Sequence, residues 1–182
     1  MANRTSLYFI AILPDDKISR ELTSFKQDFA DRFESKRALR IMPHITLKIP
    51  FRFPVDEHNE LISWFEHLPL SQPAFNVQIH GFGSFKKKKI IYAKPEVNPN
   101  LVNLQKELIG LLKLKYPHTV HCDDENFSPH MTIAYRDLSP YLFNSAWKEY
   151  ENKQYHATFP VNEISLLEHN GSWSVIAKKA LT

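Results

Sequence analysis

The chain has 182 residues but only one cysteine and four glycines. Cys122 alone cannot form an intramolecular disulfide, which fits a reducing compartment, and we expect a cytoplasmic protein. No uninterrupted apolar run reaches the roughly 20 residues that a membrane-spanning helix needs, so no membrane association is expected. Flexible linkers are rich in glycine and serine, and with so few glycines no such linker is predicted. Residues 1–182 are therefore predicted to form a single two-lobed domain.

Several well-known signature motifs are also absent from the sequence. It contains no Gly-rich phosphate loop, no Cys-x-x-Cys pair and no Gly-x-Ser-x-Gly elbow. These absences exclude P-loop nucleoside triphosphatases, zinc ribbons and serine hydrolases. The apolar run near the amino terminus is followed by Pro14-Asp15-Asp16, where a secretory signal would need small residues for cleavage. We interpret this run as the first strand of the fold.

The charge balance is only mildly basic. The chain has 23 lysines and arginines against 20 aspartates and glutamates, which gives a formal net charge of +3. This excess suits an anionic substrate but is weaker than that of a protein dedicated to coating nucleic acid. Composition therefore indicates a soluble folded protein, and net charge alone decides little about its ligand.

Hydrophobic periodicity predicts alternating strands and helices. The last segment, 157–181, is predicted to form two strands joined at His169-Asn170-Gly171. Pro50 and Pro54 are predicted to mark a loop after the second strand. Predicted strands cover 6–13, 41–49, 75–85, 89–94 and 128–135, and predicted helices cover 16–33, 56–67, 98–116 and 140–150. The order strand, helix, His-bearing strand, helix recurs in the second half. The fold class is therefore predicted as α+β, with two pseudo-symmetric lobes of antiparallel strands, outer helices and an active cleft between the lobes.

One short pattern occurs twice, at matching points of the two halves. Residues 43–47 read PHITL and residues 129–133 read PHMTI, so both copies follow Pro-His-apolar-Thr-apolar. Alternate side chains of a strand point to the same face, which places each His beside the Thr two positions later. A single His-Thr pair on a strand is typical of ordinary sheet packing. Two matching copies instead indicate a functional pair.

The residues of these motifs suit chemistry on a phosphodiester. An imidazole has an unperturbed pKa of about 6.5, so one of His44 and His130 can accept a proton while the other donates one. The hydroxyls of Thr46 and Thr132 can donate hydrogen bonds to nonbridging phosphate oxygens. Alternation also places Lys48 on the face of His44 and Arg136 on the face of His130, either as phosphate ligands or as solvated strand ends.

On these residues the sequence resembles the two-histidine (2H) phosphoesterases, in the branch of 2'-5' RNA ligases and cyclic phosphodiesterases. The resemblance covers nearly the whole chain and rests on His44-Ile45-Thr46-Leu47 and His130-Met131-Thr132-Ile133, each preceded by proline. The segments 83–85 and 90–92, Gly-Ser-Phe and Ile-Ile-Tyr, also resemble the central hairpin of that family.

The resemblance implies a function as well as a fold. His44 and His130 would be catalytic, with His44 as proton donor and His130 as acceptor in hydrolysis, and Thr46 and Thr132 would bind substrate. No metal ion or cofactor is implied. The implied reaction is hydrolysis of 2',3'-cyclic phosphate ends or 2'-5' linkages, so the partner would be an RNA end or a small cyclic nucleotide, and a monomer is expected.

Several alternatives stay open at the level of sequence. Phe51, Phe53 or Phe127 could stack on a nucleobase or pack in the core. The lysines at 86–89 could steer a phosphate backbone or form a solvated hairpin tip, and the segment 118–125 is predicted to be an acidic surface loop rather than a metal site. A binding module that holds a nucleotide without turnover, and RNA ligation as the reverse reaction, are the alternative functions.

Overall fold

The computed structural model describes residues 4–181. Four α-helices and eight β-strands are present within this range, linked by short turns of 3-10 helix. The strands are β1 (Thr5–Ile12), β2 (Ile45–Pro54), β3 (Phe75–Phe85), β4 (Ile90–Pro95), β5 (Met131–Ala134), β6 (His156–Val161), β7 (Glu163–Asn170) and β8 (Ser172–Ala180). The helices are α1 (Asp16–Arg32), α2 (His58–Glu66), α3 (Pro99–Lys115) and α4 (Pro140–Tyr150).

The strands form two antiparallel sheets of four strands each. The first sheet has the order β2-β1-β7-β8 and the second has the order β5-β4-β3-β6. The predicted α+β class with two lobes of antiparallel strands is thereby confirmed. The lobes are not successive halves of the chain, however, because β7 and β8 return to the sheet that β1 and β2 begin. The predicted recurrence of strand, helix, His-bearing strand and helix is nevertheless confirmed, as β1-α1-β2-α2 and β4-α3-β5-α4.

The second strand is longer than predicted and contains both prolines that had indicated a loop. β2 continues through Pro50 and ends at Pro54. It is an edge strand with β1 as its only neighbour within the described chain. A proline has no N–H to donate. On the outer side of an edge strand, where no neighbouring strand accepts a hydrogen bond, the missing N–H costs no ladder hydrogen bond. The loop prediction is therefore wrong, and edge position is the reason.

The carboxy-terminal segment contains three strands where two were predicted. Asn162 separates β6 from β7, and at this point the chain passes from the second sheet to the first. The predicted hairpin at Asn170-Gly171 is confirmed, with Gly171 at φ 77°, a conformation that glycine adopts without steric cost. The break at Asn162 is a single residue long, which explains why the sequence pattern missed it.

Three of the four helices begin directly after a residue whose side chain caps them. The side chains of Asp15, Asn98 and Ser139 each accept a hydrogen bond from the backbone N–H three residues later, at the starts of α1, α3 and α4. α1 packs against β5 of the second sheet, and α2 packs against β8 of the first. No helix between residues 4 and 181 is long and apolar enough to cross a lipid bilayer.

A hydrophobic cluster extends across both sheets. It includes Ile10 and Ile45 from the first sheet, Ile91 and Ile133 from the second, and Phe29 from α1. The two edge strands β2 and β5 begin directly after His44 and His130, respectively. Because each motif starts an edge strand of a different sheet, the fold can bring the two motifs to one cleft.

Candidate active site

A cavity of about 600 Å³ lies between the two sheets. Its lining includes His44 and Thr46 at the start of β2 and His130 and Thr132 at the start of β5. Each threonine follows its histidine by two positions, and both are half-buried. All four residues that the motifs predicted therefore lie at one site.

Both imidazole rings are held by the backbone two residues earlier. Nδ1 of His44 lies 2.8 Å from the carbonyl oxygen of Met42, and Nδ1 of His130 lies 2.8 Å from that of Ser128. A carbonyl oxygen only accepts hydrogen bonds, so Nδ1 must carry the proton in each ring. In the neutral ring Nε2 then has a free lone pair, and within residues 4–181 it contacts no hydrogen-bond donor. Each histidine is thereby prepared to act as a base through Nε2.

An aromatic ring packs beside each imidazole. The ring of Phe9, on β1, lies 5.0 Å from the ring of His44, and the ring of Phe85, on β3, lies 5.0 Å from the ring of His130. Tyr92, on β4, lies 5.5 Å from His130. These contacts restrict ring rotation and exclude water from one side of each imidazole.

Burial makes both imidazoles hard to protonate in the free protein. The pKa of His44 is lowered to about 4, mainly by desolvation and also by the positive charges of Lys26 and of protonated His130, against the raising effect of the Met42 carbonyl. Desolvation also lowers the pKa of His130, and the nearby charge of Lys88 adds to this effect. The charged form of an imidazole is disfavoured by low dielectric and by neighbouring cations. Both rings are therefore neutral at pH 7 in the absence of ligand.

The cavity is lined with cations. Five lysine and arginine residues contribute to it, and the lining that the structure describes includes no aspartate or glutamate. These cations are Lys26, Arg37, Arg40, Lys88 and Arg136. Arg136 had been predicted to share the face of His130, and Lys88 belongs to the lysine-rich hairpin tip. Arg37, Arg40 and Lys26 were missed, because they approach the site from outside the two motif strands.

A half-buried carboxylate positions the two missed arginines. Asp137, which follows β5, accepts hydrogen bonds from the backbone N–H groups of Lys36 and Arg37 at 2.8 and 2.9 Å and from the hydroxyl of Ser35 at 2.9 Å. Burial raises its pKa, but the hydrogen bonds outweigh burial and the pKa is lowered overall. Asp137 thus fixes the start of the short 3-10 helix Arg37–Arg40 at the edge of the cavity.

Lys48 does not share the face of His44 as strand alternation predicted. Ala11 pairs with Thr46 and Ile10 pairs with Lys48, so one step on β1 corresponds to two on β2, which is a β-bulge. An extra residue in one strand reverses the alternation of the side chains that follow it. Lys48 is consequently fully buried and lies 3.1 Å from Asp124. It is neither a phosphate ligand in the cavity nor a solvated strand end.

Burial decides two further expectations about this region. Most of the segment 118–125 is exposed, as predicted for a surface loop, but Asp124 is buried. Its carboxylate accepts hydrogen bonds from the backbone of His121 and Ile49 as well as pairing with Lys48. Phe51 and Phe53 are buried in the core and do not line the cavity, so they cannot stack on a ligand there.

Other aromatic residues line the site. Trp173, at the start of β8, is half-buried, contacts the ring of Phe9 with centroids 4.6 Å apart, and lines the cavity. Phe127 lines an adjoining cavity of about 330 Å³ that shares Thr46, Lys88 and His130 with the first. The sequence suggested Phe127 but gave no signal for Trp173, because β8 reaches the site only through pairing with β7.

Residues that could hold a metal ion do not cluster in the described chain. Between residues 4 and 181, no group of three or more His, Cys, Asp or Glu side chains is arranged to bind one. His118, in the segment that had been considered as a metal site, stacks near Phe53 with ring centroids 6.0 Å apart.

Comparison with known proteins places this architecture in the class of 2H phosphoesterases. The sequence profile of the 2'-5' RNA ligase superfamily matches residues 14–173, and the chain belongs to that family. A protein of Geobacillus kaustophilus that bears the name "Putative phosphoesterase" is 30% identical over 171 residues, which cover 92% of each chain. A relative of the same name from Geobacillus thermodenitrificans is 29% identical over 171 residues.

Solved structures share the fold at low sequence identity. TT0787 of Thermus thermophilus superposes with a TM-score of 0.70 at 17% identity, covering 96% of this chain and 97% of its own. Escherichia coli LigT in complex with 3'-AMP gives a TM-score of 0.66 at 14% identity, covering 97% of this chain and 98% of its own. The two-sheet arrangement is thus a known one.

Proposed function

We propose that the protein is a phosphodiesterase that hydrolyses 2',3'-cyclic phosphate ends or 2'-5' linkages of RNA or nucleotides, with His44 and His130 as its general acid and base. The observation that carries this proposal is that both imidazoles are fixed through Nδ1 and line one cation-rich cavity. Membership of the 2'-5' RNA ligase superfamily supports the substrate class.

The chemistry needs two proton transfers, and the site offers one group for each. In hydrolysis of a cyclic phosphate, a neutral imidazole takes a proton from water as the water oxygen bonds to phosphorus. The bond from phosphorus to the 2' or 3' oxygen breaks, and the protonated second imidazole gives its proton to the leaving alkoxide. The product is a phosphomonoester. Positioned general acids and bases of this kind contribute about 10²–10⁴-fold each to rate.

The electrostatics of the free site bear on which histidine plays which role. The family resemblance implies His44 as the donor. In the free protein, however, His44 is the harder of the two to protonate, since its pKa is lowered to about 4 and both Lys26 and His130 oppose its charge. A bound phosphate raises the pKa of both rings. Phosphate binding therefore supplies the protonated donor. We assign that role to His44, as the resemblance implies, and the water-activating base to His130 in hydrolysis, with the roles reversed in ligation.

Phosphate binding is assigned to the two threonines and the surrounding cations. The side chains of Thr46 and Thr132 line the cavity, and each hydroxyl can donate a hydrogen bond to a nonbridging phosphate oxygen. Arg40 and Arg136 supply positive charge at the same cavity, and guanidinium groups bind phosphate in a fixed bidentate geometry. Charge that builds on the phosphate oxygens in the transition state is stabilised by these donors.

We assign binding of the nucleobase to Trp173. Its indole lines the same cavity as the histidines and is half-buried, so one part of its surface stays open to a ligand. Stacking of a base on an aromatic side chain is worth about 1–3 kcal/mol. LigT, which shares the fold, was solved with 3'-AMP, a nucleoside monophosphate.

The test is phosphorus NMR of 2',3'-cyclic AMP and of a short RNA with a cyclic phosphate end, each incubated with the protein in excess EDTA. The proposal expects conversion to a single monoester isomer, which also identifies the bond that is cut. A protein that binds these ligands without converting either one would instead be a binding module. Turnover that EDTA abolishes would contradict the two-histidine mechanism.

A further inference from the structure

Lys26 is a lysine on the apolar face of a helix. α1 buries Ile18, Leu22 and Phe29, and Lys26 lies on the same face. Only 2% of its surface is exposed, and it lines the cavity that holds His44. Lysine is almost never fully buried unless its charge is paired. A negatively charged partner is therefore expected for the ammonium group of Lys26.

The ammonium group of Lys26 has one protein partner in the described chain. Its Nζ donates to the carbonyl oxygen of Ile41 at 2.8 Å. An ammonium has three N–H donors, so two remain without a partner within residues 4–181. No carboxylate in that range lies within ion-pairing distance, and desolvation alone lowers the pKa of Lys26 to about 8.

Lys48 is also buried, but unlike Lys26 it has a counter-ion. Lys48 is as deeply buried but lies 3.1 Å from the carboxylate of Asp124, and its charge is compensated inside the fold. A buried charge without a counter-ion costs several kcal/mol, a cost that the chain could avoid with methionine or leucine at the same position. The unpaired cation of Lys26 thus indicates a ligand that is absent from the free protein.

The position of Lys26 relates it to His44. Ile41, which accepts its hydrogen bond, precedes Met42, whose carbonyl oxygen holds Nδ1 of His44. The charge of Lys26 is close enough to lower the pKa of His44, after the larger effect of burial. An anion bound at His44 is therefore also within reach of the field of Lys26.

We propose that Lys26 is a phosphate-binding residue whose free N–H donors contact a nonbridging oxygen of the substrate phosphate beside His44. This inference rests on the proposed function, because the same cavity must hold the phosphate. Charge-assisted hydrogen bonds from a preorganised, buried ammonium are stronger than those from solvated lysines. Lys26 then has its counter-ion only in the complex, and the cost of burying it is recovered on binding.

The test follows the imidazole resonances of the two histidines by NMR while inorganic phosphate is added to the protein at pH 7. Lys26→Met removes the charge at nearly constant volume and is expected to weaken phosphate binding by about tenfold or more. Lys26→Arg keeps the charge and is expected to restore part of the affinity. Lys17→Met is the matched control, since Lys17 is an exposed lysine of α1 outside this cavity.

A second readout separates a binding role from a structural one. In the ligand-free protein, the pKa of His44 is expected to rise in Lys26→Met, because a neighbouring positive charge is lost. If Lys26→Met fails to fold, Lys26→Gln, which keeps a donor for Ile41 but has no charge, gives the same comparison. Wild-type affinity and an unchanged His44 pKa in the uncharged variant would overturn this inference alone. A wild-type protein that binds no phosphate would overturn the proposed function as well.

Discussion

Nδ1 of His44 donates a hydrogen bond to the carbonyl oxygen of Met42, 2.8 Å away, and His130 repeats this contact with Ser128. The residue between donor and acceptor is proline in both cases, at 43 and 129. Proline has a fixed φ and restricts the residue before it to extended conformations, so the carbonyl of that residue is held in one direction. The proline in each motif therefore has a physical role, which is to orient the imidazole.

This contact predicts the tautomer of both rings. Nitrogen-15 NMR of the free protein at pH 7 should show Nδ1 protonated and Nε2 unprotonated in His44 and in His130. The reason is that a carbonyl oxygen can only accept. A protonated Nε2 in either motif histidine would contradict the geometry on which the mechanism depends.

Ligand binding should be coupled to proton uptake. In the free protein the pKa of His44 is lowered to about 4 and that of His130 is also lowered, so His44 is neutral at pH 6 and His130 carries less charge there than an ordinary imidazole. A bound phosphate raises these pKa values, and a group whose pKa rises on binding takes up protons at a pH between the two values. Calorimetry of sulfate binding at pH 6 in two buffers of different ionisation enthalpy measures the uptake, because sulfate mimics the phosphate charge but does not itself titrate near this pH. Release of protons on binding would contradict this expected sign.

Gly83 makes room for a ring beside His130. A Cβ atom at Gly83 would lie 2.5 Å from ring atoms of Tyr92, which contacts His130. Gly83→Ala should displace this ring and reduce kcat, by about tenfold if the imidazole shifts by a fraction of an ångström. Gly110→Ala is the control, since a Cβ there meets no atom within 4 Å and should stabilise the exposed helix position by about 0.5–1 kcal/mol. Wild-type turnover in Gly83→Ala would argue against a supporting role for Tyr92.

The buried pair of Lys48 and Asp124 should contribute to stability as a unit. Asp124→Asn leaves the Lys48 charge buried without a counter-ion and should lower the free energy of unfolding by about 3–5 kcal/mol. The double variant Lys48→Met with Asp124→Asn should lose less than the sum of the single changes, and chemical denaturation measures all three. Additive losses would show that the two charges do not stabilise each other.

Sequence alone predicts those parts of the site that depend on local pattern. His44, Thr46, His130 and Thr132 are recognisable because each motif sets its own geometry within a few residues. Lys26 was not recognisable, since a helix lysine looks the same in sequence whether it faces solvent or a cavity. Its role depends on how α1 lies across the second sheet.

The errors in the predicted fold have the same origin. Lys48 was placed on the wrong face because a β-bulge, which depends on the pairing of β1 with β2, reverses the alternation. Pro50 was read as a loop residue because its tolerance in β2 depends on that strand being at the edge of its sheet. Which strand lies at an edge is a property of the whole fold.

The central claim is that His44 and His130 act together on one phosphate. The most direct test is kcat/KM for 2',3'-cyclic AMP in wild type, His44→Ala, His130→Ala and the double variant, with His67→Ala as a control for an exposed histidine. Each single motif change should lower kcat/KM by about 10²–10⁴-fold, and the double variant should be little worse than either single variant because the two groups act as a unit. Near-wild-type activity in either single motif variant would contradict the account.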